Sequence, residues 1–273
     1  MNAIAAAFEK AAQEDRALLI GYWPAGYPDV DSSIRIVEAM IAGGVDLMEI
    51  GWPYSDPVMD GPTIAVAADE ALRAGTTPSD VLRVVAAAHS AGAAAAVMSY
   101  WNPIEHYGVS AFAKALNVVG GAGVITPDLV VEEADAWREA TNRFGVARIF
   151  VAAPSSTPER LRLVAEASDG FVYAASMMGV TGSRAVDREA QDLVARIRPL
   201  AHTPIAVGLG VSTRQQAAQI AGYADGVIVG SAFVRIFQRS GSLEEAEAGV
   251  QALATELAQG VREAGMAEVE EYE

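Results

Sequence analysis

The sequence alternates short apolar runs of strand length with longer segments of helical periodicity from one end to the other. Such alternation is typical of repeated βα units around a parallel sheet. We identify eight apolar runs, at residues 17–23, 46–51, 94–100, 123–126, 147–152, 170–173, 204–208 and 226–230. Eight parallel strands either close into a barrel or lie as a doubly wound sheet, which usually needs a second segment. The 273 residues favour the barrel, whose usual length is roughly 250 residues.

The segments between the runs carry Ala, Leu or Val at three- and four-residue spacing, which indicates helices. These predicted helices cover residues 30–42, 78–91, 131–141, 158–167, 190–198, 213–221 and 243–263. Additional helical pieces are expected at the N-terminus, after the second strand and at the C-terminus. The prediction is therefore an α/β fold, a single-domain (β/α)8 TIM barrel over residues 1–267, followed by an acidic tail at 268–273.

The charge balance limits the partners of the chain. Lys and Arg number 19 against 35 Asp and Glu, a formal net charge of −16. That balance argues against nucleic acid and anionic membranes as partners. The first residues lack a basic segment ahead of an apolar one, and no stretch of eighteen uncharged apolar residues occurs, so we expect a cytoplasmic protein.

The residue types that are scarce exclude several mechanisms. The chain has no cysteine, which removes disulfides, thiolate nucleophiles and thiolate metal ligands. Its three histidines are widely separated, so we predict no metal site. The only lysines are Lys10 and Lys114, and neither follows a predicted strand, which excludes a Schiff-base mechanism. What remains is acid–base chemistry by carboxylates.

Two carboxylates stand where a barrel places its chemistry, at the C-terminal ends of the strands. Glu49 lies inside the second apolar run, where an ionised side chain is costly unless it has a partner or a raised pKa. It is either a paired structural carboxylate or a functional acid. Asp60 follows in a proline-rich loop just before Gly61-Pro62, where it either caps a helix or takes part in chemistry. Together the two carboxyl groups suit a mechanism in which one acts as a general acid and the other as a general base.

Glycine-rich turns follow the last three predicted strands, at residues 179–183, 208–212 and 230–232. The loops after the late strands of a barrel, together with a helix N-terminus, commonly bind phosphate. Glycine lets backbone N–H groups approach an anion closely, and Ser231 adds a hydroxyl. These turns predict a phosphorylated substrate held without lysine.

At this point the residues resemble a known family, the tryptophan synthase α subunits. The resemblance rests on Glu49-Ile50-Gly51 followed by Ser-Asp-Pro-Val-Met-Asp-Gly-Pro-Thr-Ile at 55–64, and it runs in order from about residue 18 to residue 234. Further matching motifs stand at residues 24–28, 100–103, 127–129, 179–182 and 229–232.

The resemblance implies a TIM barrel that cleaves indole-3-glycerol phosphate to indole and glyceraldehyde 3-phosphate. It implies that Glu49 moves protons at indole C3 and at the glycerol hydroxyl, and that Asp60 binds the indole N–H and stabilises positive charge on the ring. The implied phosphate ligands are Gly182, Gly210, Gly230 and Ser231. The implied indole pocket and its mobile lid comprise Tyr22, Met98, Tyr100, Val151, Tyr173, Thr181 and Leu209, although periodicity alone would make the pocket residues barrel core.

The resemblance also implies a partner. Family members work with a separate β subunit, in an expected α2β2 assembly, and pyridoxal phosphate belongs to that subunit, so no cofactor is expected on this chain. The loop after the second strand, around Asp56, and the loop after the sixth are the expected contact surfaces. Two alternatives are a stand-alone indole-3-glycerol phosphate lyase and a non-catalytic phosphate-binding barrel that activates a β partner.

Three departures from the family pattern bear on how the lid closes and how the chain docks on its β partner. Residues 174–178 read Ala-Ala-Ser-Met-Met where the family often has Leu-Ser-Arg, Val130 replaces a common proline, and Trp52 replaces a smaller apolar residue. None of these changes touches Glu49 or Asp60.

Overall fold

The computed structural model describes residues 2–175, 184–208 and 210–267. Within these ranges nine strands alternate with twelve α-helices. The strands are β1 (Leu18–Pro24), β2 (Leu47–Gly51), β3 (Ala94–Met98), β4 (Gly123–Ile125), β5 (Ala147–Ile149), β6 (Val151–Ala152), β7 (Val172–Ala175), β8 (Ile205–Gly208) and β9 (Gly226–Val229). Each lies within a few residues of a predicted run.

All strand pairs are parallel, in the order β5-β4-β3-β2-β1-β9-β8-β7-β6. The two ends of this order, β5 and β6, are successive pieces of the single predicted run at 147–152, interrupted only at Phe150. At the interruption the Phe150 amide donates a hydrogen bond of 3.3 Å to the side-chain hydroxyl of Ser168, and the Phe150 carbonyl accepts one of 3.1 Å from the Tyr173 amide on β7. The sheet therefore closes into the predicted barrel, with its fifth strand in two pieces.

The helices follow the strands in the predicted alternation. Their bounds are α1 (Ala3–Gln13), α2 (Val30–Ala42), α3 (Pro62–Arg73), α4 (Pro78–Ser90), α5 (Trp101–Tyr107), α6 (Val109–Val118), α7 (Asp135–Phe144), α8 (Pro158–Ala167), α9 (Arg184–Ile197), α10 (Arg214–Ala221), α11 (Ser231–Arg239) and α12 (Leu243–Ala267). Additional helices occur at both ends and after β2, as expected. The extra pair after β3, α5 and α6, was not predicted.

One predicted helix, at 131–141, is wrong at both ends. The chain makes a short 3₁₀ turn at Val131–Glu133 and begins α7 only at Asp135. The helix runs on to Phe144, because Gly145 adopts the left-handed conformation (φ 68°) that commonly ends a helix.

Strand side chains divide into an inner and an outer set because successive residues face opposite sides of the sheet. Outward residues such as Met48 and Ile50 pack against the helices, in the larger of the two buried clusters. Inward residues such as Leu18 and Ile20 fill the barrel. Helix α1 closes the N-terminal end of the barrel with Phe8, whose ring lies 5.7 Å from that of Phe171. The barrel is thus open to ligands at its C-terminal end.

Among the described helices, none combines the length and apolar character needed to cross a bilayer. The predicted acidic tail at 268–273 lies outside the described residues.

Candidate active site

Glu49 points into the barrel because of its place in β2. Leu47, two residues earlier, belongs to the inner cluster, whereas Met48 and Ile50 belong to the outer one. The alternation along the strand puts the Glu49 side chain on the inner face, near the C-terminal end. Its side chain is buried, with 1% of the residue exposed.

The carboxyl group of Glu49 is not a paired structural carboxylate. Among the described residues, neither of its oxygens has a hydrogen-bond partner. Burial, and to a smaller extent the nearby charge of Asp60, raises the pKa of Glu49 to about 8. A buried carboxyl group of this kind is protonated at neutral pH and can give up a proton within the cavity.

Asp60 lies at the end of the loop between β2 and α3. It does not cap α3, because Gly61 occupies the N-cap position and the helix has no side-chain cap. Burial raises the pKa of Asp60 to about 6. The two carboxyl groups therefore differ in pKa, and near pH 7 Asp60 is mostly ionised while Glu49 is mostly protonated.

Aromatic residues fix the loop that carries Asp60. The Met59 amide donates a hydrogen bond of 2.9 Å to the hydroxyl of Tyr100. Tyr54, on the same loop, lies with its ring 5.2 Å from that of Tyr100, and its hydroxyl accepts a hydrogen bond from the Asn102 amide at 3.1 Å. The loop is thus tied to the chain that follows β3.

A cavity of about 150 Å³ opens between these groups at the C-terminal end of the barrel. It is lined by Tyr22, Glu49, Met59, Asp60, Ile64, Met98, Tyr173, Gly208, Gly210, Ile228, Gly230 and Ser231. Two larger hollows, of about 750 and 600 Å³, lie beside α1 at the N-terminal ends of the strands. That end of a TIM barrel serves stability rather than catalysis, so the smaller cavity is the candidate active site.

Two glycines let tyrosine rings reach into the cavity. A Cβ atom on Gly51 would lie 2.2 Å from the Tyr22 hydroxyl, and one on Gly208 would lie 2.6 Å from the Tyr173 hydroxyl. Burial, followed by the charges of Glu49 and Asp60, raises the pKa of both tyrosines well above the usual value. Both rings therefore remain neutral walls of the cavity.

The other side of the cavity meets the start of α11. Gly230 is the N-cap residue and Ser231 the first residue of this helix, and both line the cavity. The first N–H groups of a helix have no partner within the helix, which suits them to bind an anion. Gly210 adopts a φ of 67°, a conformation that favours glycine. Arg235, one turn along α11, donates a hydrogen bond of 3.0 Å from Nη1 to the Ser231 hydroxyl. This end of the cavity suits an anion.

The structure brings most of the predicted site residues together on this cavity. Those it brings together are Tyr22, Glu49, Asp60, Met98, Tyr173, Gly210, Gly230 and Ser231. Tyr100 is not on the cavity wall and holds the Asp60 loop instead. Val151 lines a neighbouring cavity of about 200 Å³ and packs against the inner cluster. Thr181, Gly182 and Leu209 lie outside the described residues.

Four residues at the site were not predicted. Met59, Ile64 and Ile228 line the cavity, and Arg235 contacts Ser231. Gly208, which also lines the cavity, belongs to the glycine-rich turn predicted at 208–212. Strand alternation could have found Ile228, since it follows the inward-facing Gly226 by two positions in β9. Within the described residues no three His, Cys, Asp or Glu side chains are grouped so as to hold a metal ion.

Comparison with known proteins agrees with this geometry. The family model described as tryptophan synthase alpha chain matches residues 8–264. The tryptophan synthase alpha chain of Thermobifida fusca is 58% identical over 259 residues, which cover 93% of this chain and 96% of that one. That of Acidothermus cellulolyticus is 53% identical, covering 96% of this chain and 98% of that one.

Solved structures give the same result. The structure of Mycobacterium tuberculosis tryptophan synthase superimposes with a TM-score of 0.89 at 51% identity, covering 96% of this chain and 98% of that one. Tryptophan synthase subunit alpha from Legionella pneumophila gives a TM-score of 0.83 at 30% identity, covering 98% and 99%. With the family model matched over nearly its whole length, the chain belongs to the tryptophan synthase alpha chain family.

Proposed function

We propose that this chain cleaves indole-3-glycerol phosphate to indole and glyceraldehyde 3-phosphate, with Glu49 and Asp60 as its acid–base pair. The chain acts in tryptophan biosynthesis as an alpha chain, and its reaction is that of a lyase. The observation that supports the two roles is the buried carboxyl group of Glu49, which lacks a hydrogen-bond partner among the described residues and lines the same cavity as Asp60.

The first step is protonation of the indole ring. Because burial raises the pKa of Glu49 to about 8, its carboxyl group holds a proton at neutral pH and delivers it to indole C3. The ring nitrogen then carries positive charge on its N–H. Asp60, which is mostly ionised at that pH, accepts a hydrogen bond from this N–H and stabilises the charge.

The second step breaks the carbon–carbon bond. Glu49, now a carboxylate, removes the proton from the hydroxyl of the glycerol carbon that is bonded to indole C3. The oxygen forms a carbonyl, the C–C bond pair returns to the ring, and the positive charge on nitrogen is neutralised. Glu49 ends protonated as it began, so the chemistry needs no covalent intermediate and no cofactor on this chain.

The phosphate group lies at the start of α11 in this proposal. Backbone N–H groups at Gly230 and Ser231, with the Ser231 hydroxyl, provide donors at a helix N-terminus, which carries partial positive charge. Gly210 lines the same cavity. Gly182, the remaining phosphate ligand expected from the family resemblance, and Thr181 of the lid complete the proposed site.

We further propose that the chain docks on a β subunit in an α2β2 assembly, with pyridoxal phosphate on the β subunit. The similar M. tuberculosis structures are structures of tryptophan synthase. The loop after β2 exposes apolar side chains, with Val58 73% and Met59 41% exposed, next to the mouth of the cavity. Such exposed apolar residues suit a protein contact.

The test is release of indole and glyceraldehyde 3-phosphate from indole-3-glycerol phosphate by the purified chain, measured with and without a tryptophan synthase β subunit. We expect cleavage by the chain alone and faster cleavage with the partner. Cleavage that is unaffected by the β subunit would identify a stand-alone lyase. A chain that is inert in both conditions yet activates the β subunit would be a non-catalytic activator, and the lyase proposal would be wrong.

A further inference from the structure

Among the described residues, Arg235 is one of several arginines that form no ion pair, and it is the one whose guanidinium bonds a residue of the candidate active site. Across the described residues, ten arginines pair with a carboxylate, and Arg235 is not among them. Its side chain is partly buried, and its Nη1 donates to the hydroxyl of Ser231 at 3.0 Å. The guanidinium is therefore held beside a residue that lines the candidate active site.

The hydrogen bond determines what the Ser231 hydroxyl can do. A serine hydroxyl has one hydrogen to donate and two lone pairs to accept. Because Arg235 donates to it, a lone pair is occupied and the hydroxyl hydrogen remains available for an anionic ligand. A donor that is itself bound by a cation is also the stronger donor.

The charges around the cavity would repel an anionic ligand unless a positive charge lay nearby. None of the described residues that line it is basic, and two of them, Glu49 and Asp60, are acidic. The chain as a whole carries a formal net charge of −16. A phosphate monoester, with a charge near −2 at pH 7, would otherwise enter a site of its own sign.

We propose that Arg235 is a positioning residue for the phosphate of the substrate, which orients the Ser231 hydroxyl as a donor and supplies the positive charge that the cavity wall lacks. This inference rests on the proposed function, because it takes the ligand to be a phosphate ester. Arg235 acts through Ser231 and through its charge, and it takes no part in the proton transfers at Glu49.

The test separates binding from chemistry. Arg235→Gln removes the charge and keeps polar character. We expect it to weaken the binding of inorganic phosphate by about 10- to 100-fold. This affinity is measured by competitive inhibition and by calorimetry on the free chain. KM for indole-3-glycerol phosphate should rise by a similar factor, while kcat stays within about threefold.

Two further variants show whether an effect of Arg235→Gln is specific to this position and whether it comes from the charge. Arg239→Gln is the matched control, since Arg239 is an exposed arginine one turn further along the same helix, and it should leave phosphate affinity unchanged. Arg235→Lys keeps the charge and should bind phosphate within about fivefold of the wild type. If Arg235→Lys is as weak as Arg235→Gln, charge is not the cause and the proposal is wrong.

The proposal is equally wrong if Arg235→Gln lowers kcat without changing KM, or if it binds phosphate as the wild type does. Calorimetry with inorganic phosphate requires no turnover. A wild-type chain that binds phosphate through Arg235 but fails to cleave the substrate would therefore contradict the proposed function and leave this inference standing.

Discussion

The Met59 amide donates a hydrogen bond of 2.9 Å to the Tyr100 hydroxyl, so the loop that carries Asp60 is anchored to the segment that follows the neighbouring strand. The anchor lies one residue before Asp60. Its loss would leave the carboxylate free to move away from the place where charge develops on the substrate, and small displacements of a positioned group are costly in rate.

We therefore expect Tyr100→Phe, which keeps the ring and removes only the hydroxyl, to lower kcat for indole release by about tenfold. The melting temperature should change little, because one such hydrogen bond contributes about 1 kcal/mol. Tyr107→Phe is the control, since the Tyr107 ring packs on Trp52 at the start of this loop and, among the described residues, the Tyr107 hydroxyl is not bonded to Met59 or Asp60. Equal activity of Tyr100→Phe and the wild type would show that the hydroxyl does not position Asp60.

Gly208 is required for the position of Tyr173. A Cβ atom at Gly208 would lie 2.6 Å from the Tyr173 hydroxyl but 3.2 Å from the nearest ring carbons. Gly208→Ala should lower both the melting temperature and kcat/KM, whereas the same substitution in a Tyr173→Phe background should cost much less. A double-mutant cycle on the melting temperature measures this coupling, and additive effects would contradict it.

Glu49 should destabilise the native protein at high pH. Its pKa rises from 4.5 to about 8 on folding, so the folded chain binds more protons than the unfolded chain between those values. Stability is therefore lost as pH rises from about 4.5 to 8 and stays low above, at a cost of up to roughly 5 kcal/mol.

Glu49→Gln removes this cost because the amide carries no charge. We expect its melting temperature to exceed that of the wild type by at least about 5 °C at pH 9, with a difference that disappears near pH 4. The control is Glu139→Gln, a glutamate exposed on α7, which should show no such trend. A difference in melting temperature between Glu49→Gln and the wild type that does not vary with pH would mean that folding does not raise the pKa of the Glu49 carboxyl group.

The same two carboxyl groups predict a bell-shaped pH dependence of kcat/KM. Activity should rise through pH 6 as Asp60 ionises and fall above pH 8 as Glu49 loses its proton. The substrate phosphate also titrates near pH 6, so Asp60→Asn is needed to assign the acid limb. That limb should vanish in the variant, and the basic limb should move to lower pH because a neighbouring negative charge is gone. An acid limb that persists would belong to the substrate.

Much of this site was predictable because barrel chemistry follows simple geometric rules. Glu49 could be found because a carboxylate inside an apolar run is removed from water. The alternation of side chains along the strand then places this carboxylate on the inner face of the barrel. Ser231 could be found because a glycine turn after a late strand precedes a helix. These inferences need only local sequence and the closure of the sheet.

Other features depended on packing between distant elements. Tyr100 lies beyond the end of β3, where alternation no longer fixes the direction of a side chain, so its role as an anchor appears only in the fold. Arg235 falls in a helical pattern, in which an arginine is ordinarily a solvent-exposed residue. Its relation to Ser231 requires knowing that α11 begins at Ser231. The division of residues 131–144 into two helical pieces was also not evident from periodicity.

The most direct measurement is kcat for indole release by Glu49→Gln, compared with the wild type at pH 7 and with both proteins shown to be folded. Glutamine has nearly the same size but can neither donate the proton to indole C3 nor remove the hydroxyl proton. We predict that kcat falls by about 10²- to 10⁴-fold although the variant is the more stable protein. A Glu49→Gln variant with kcat within about tenfold of the wild type would show that Glu49 is not the group that moves these protons.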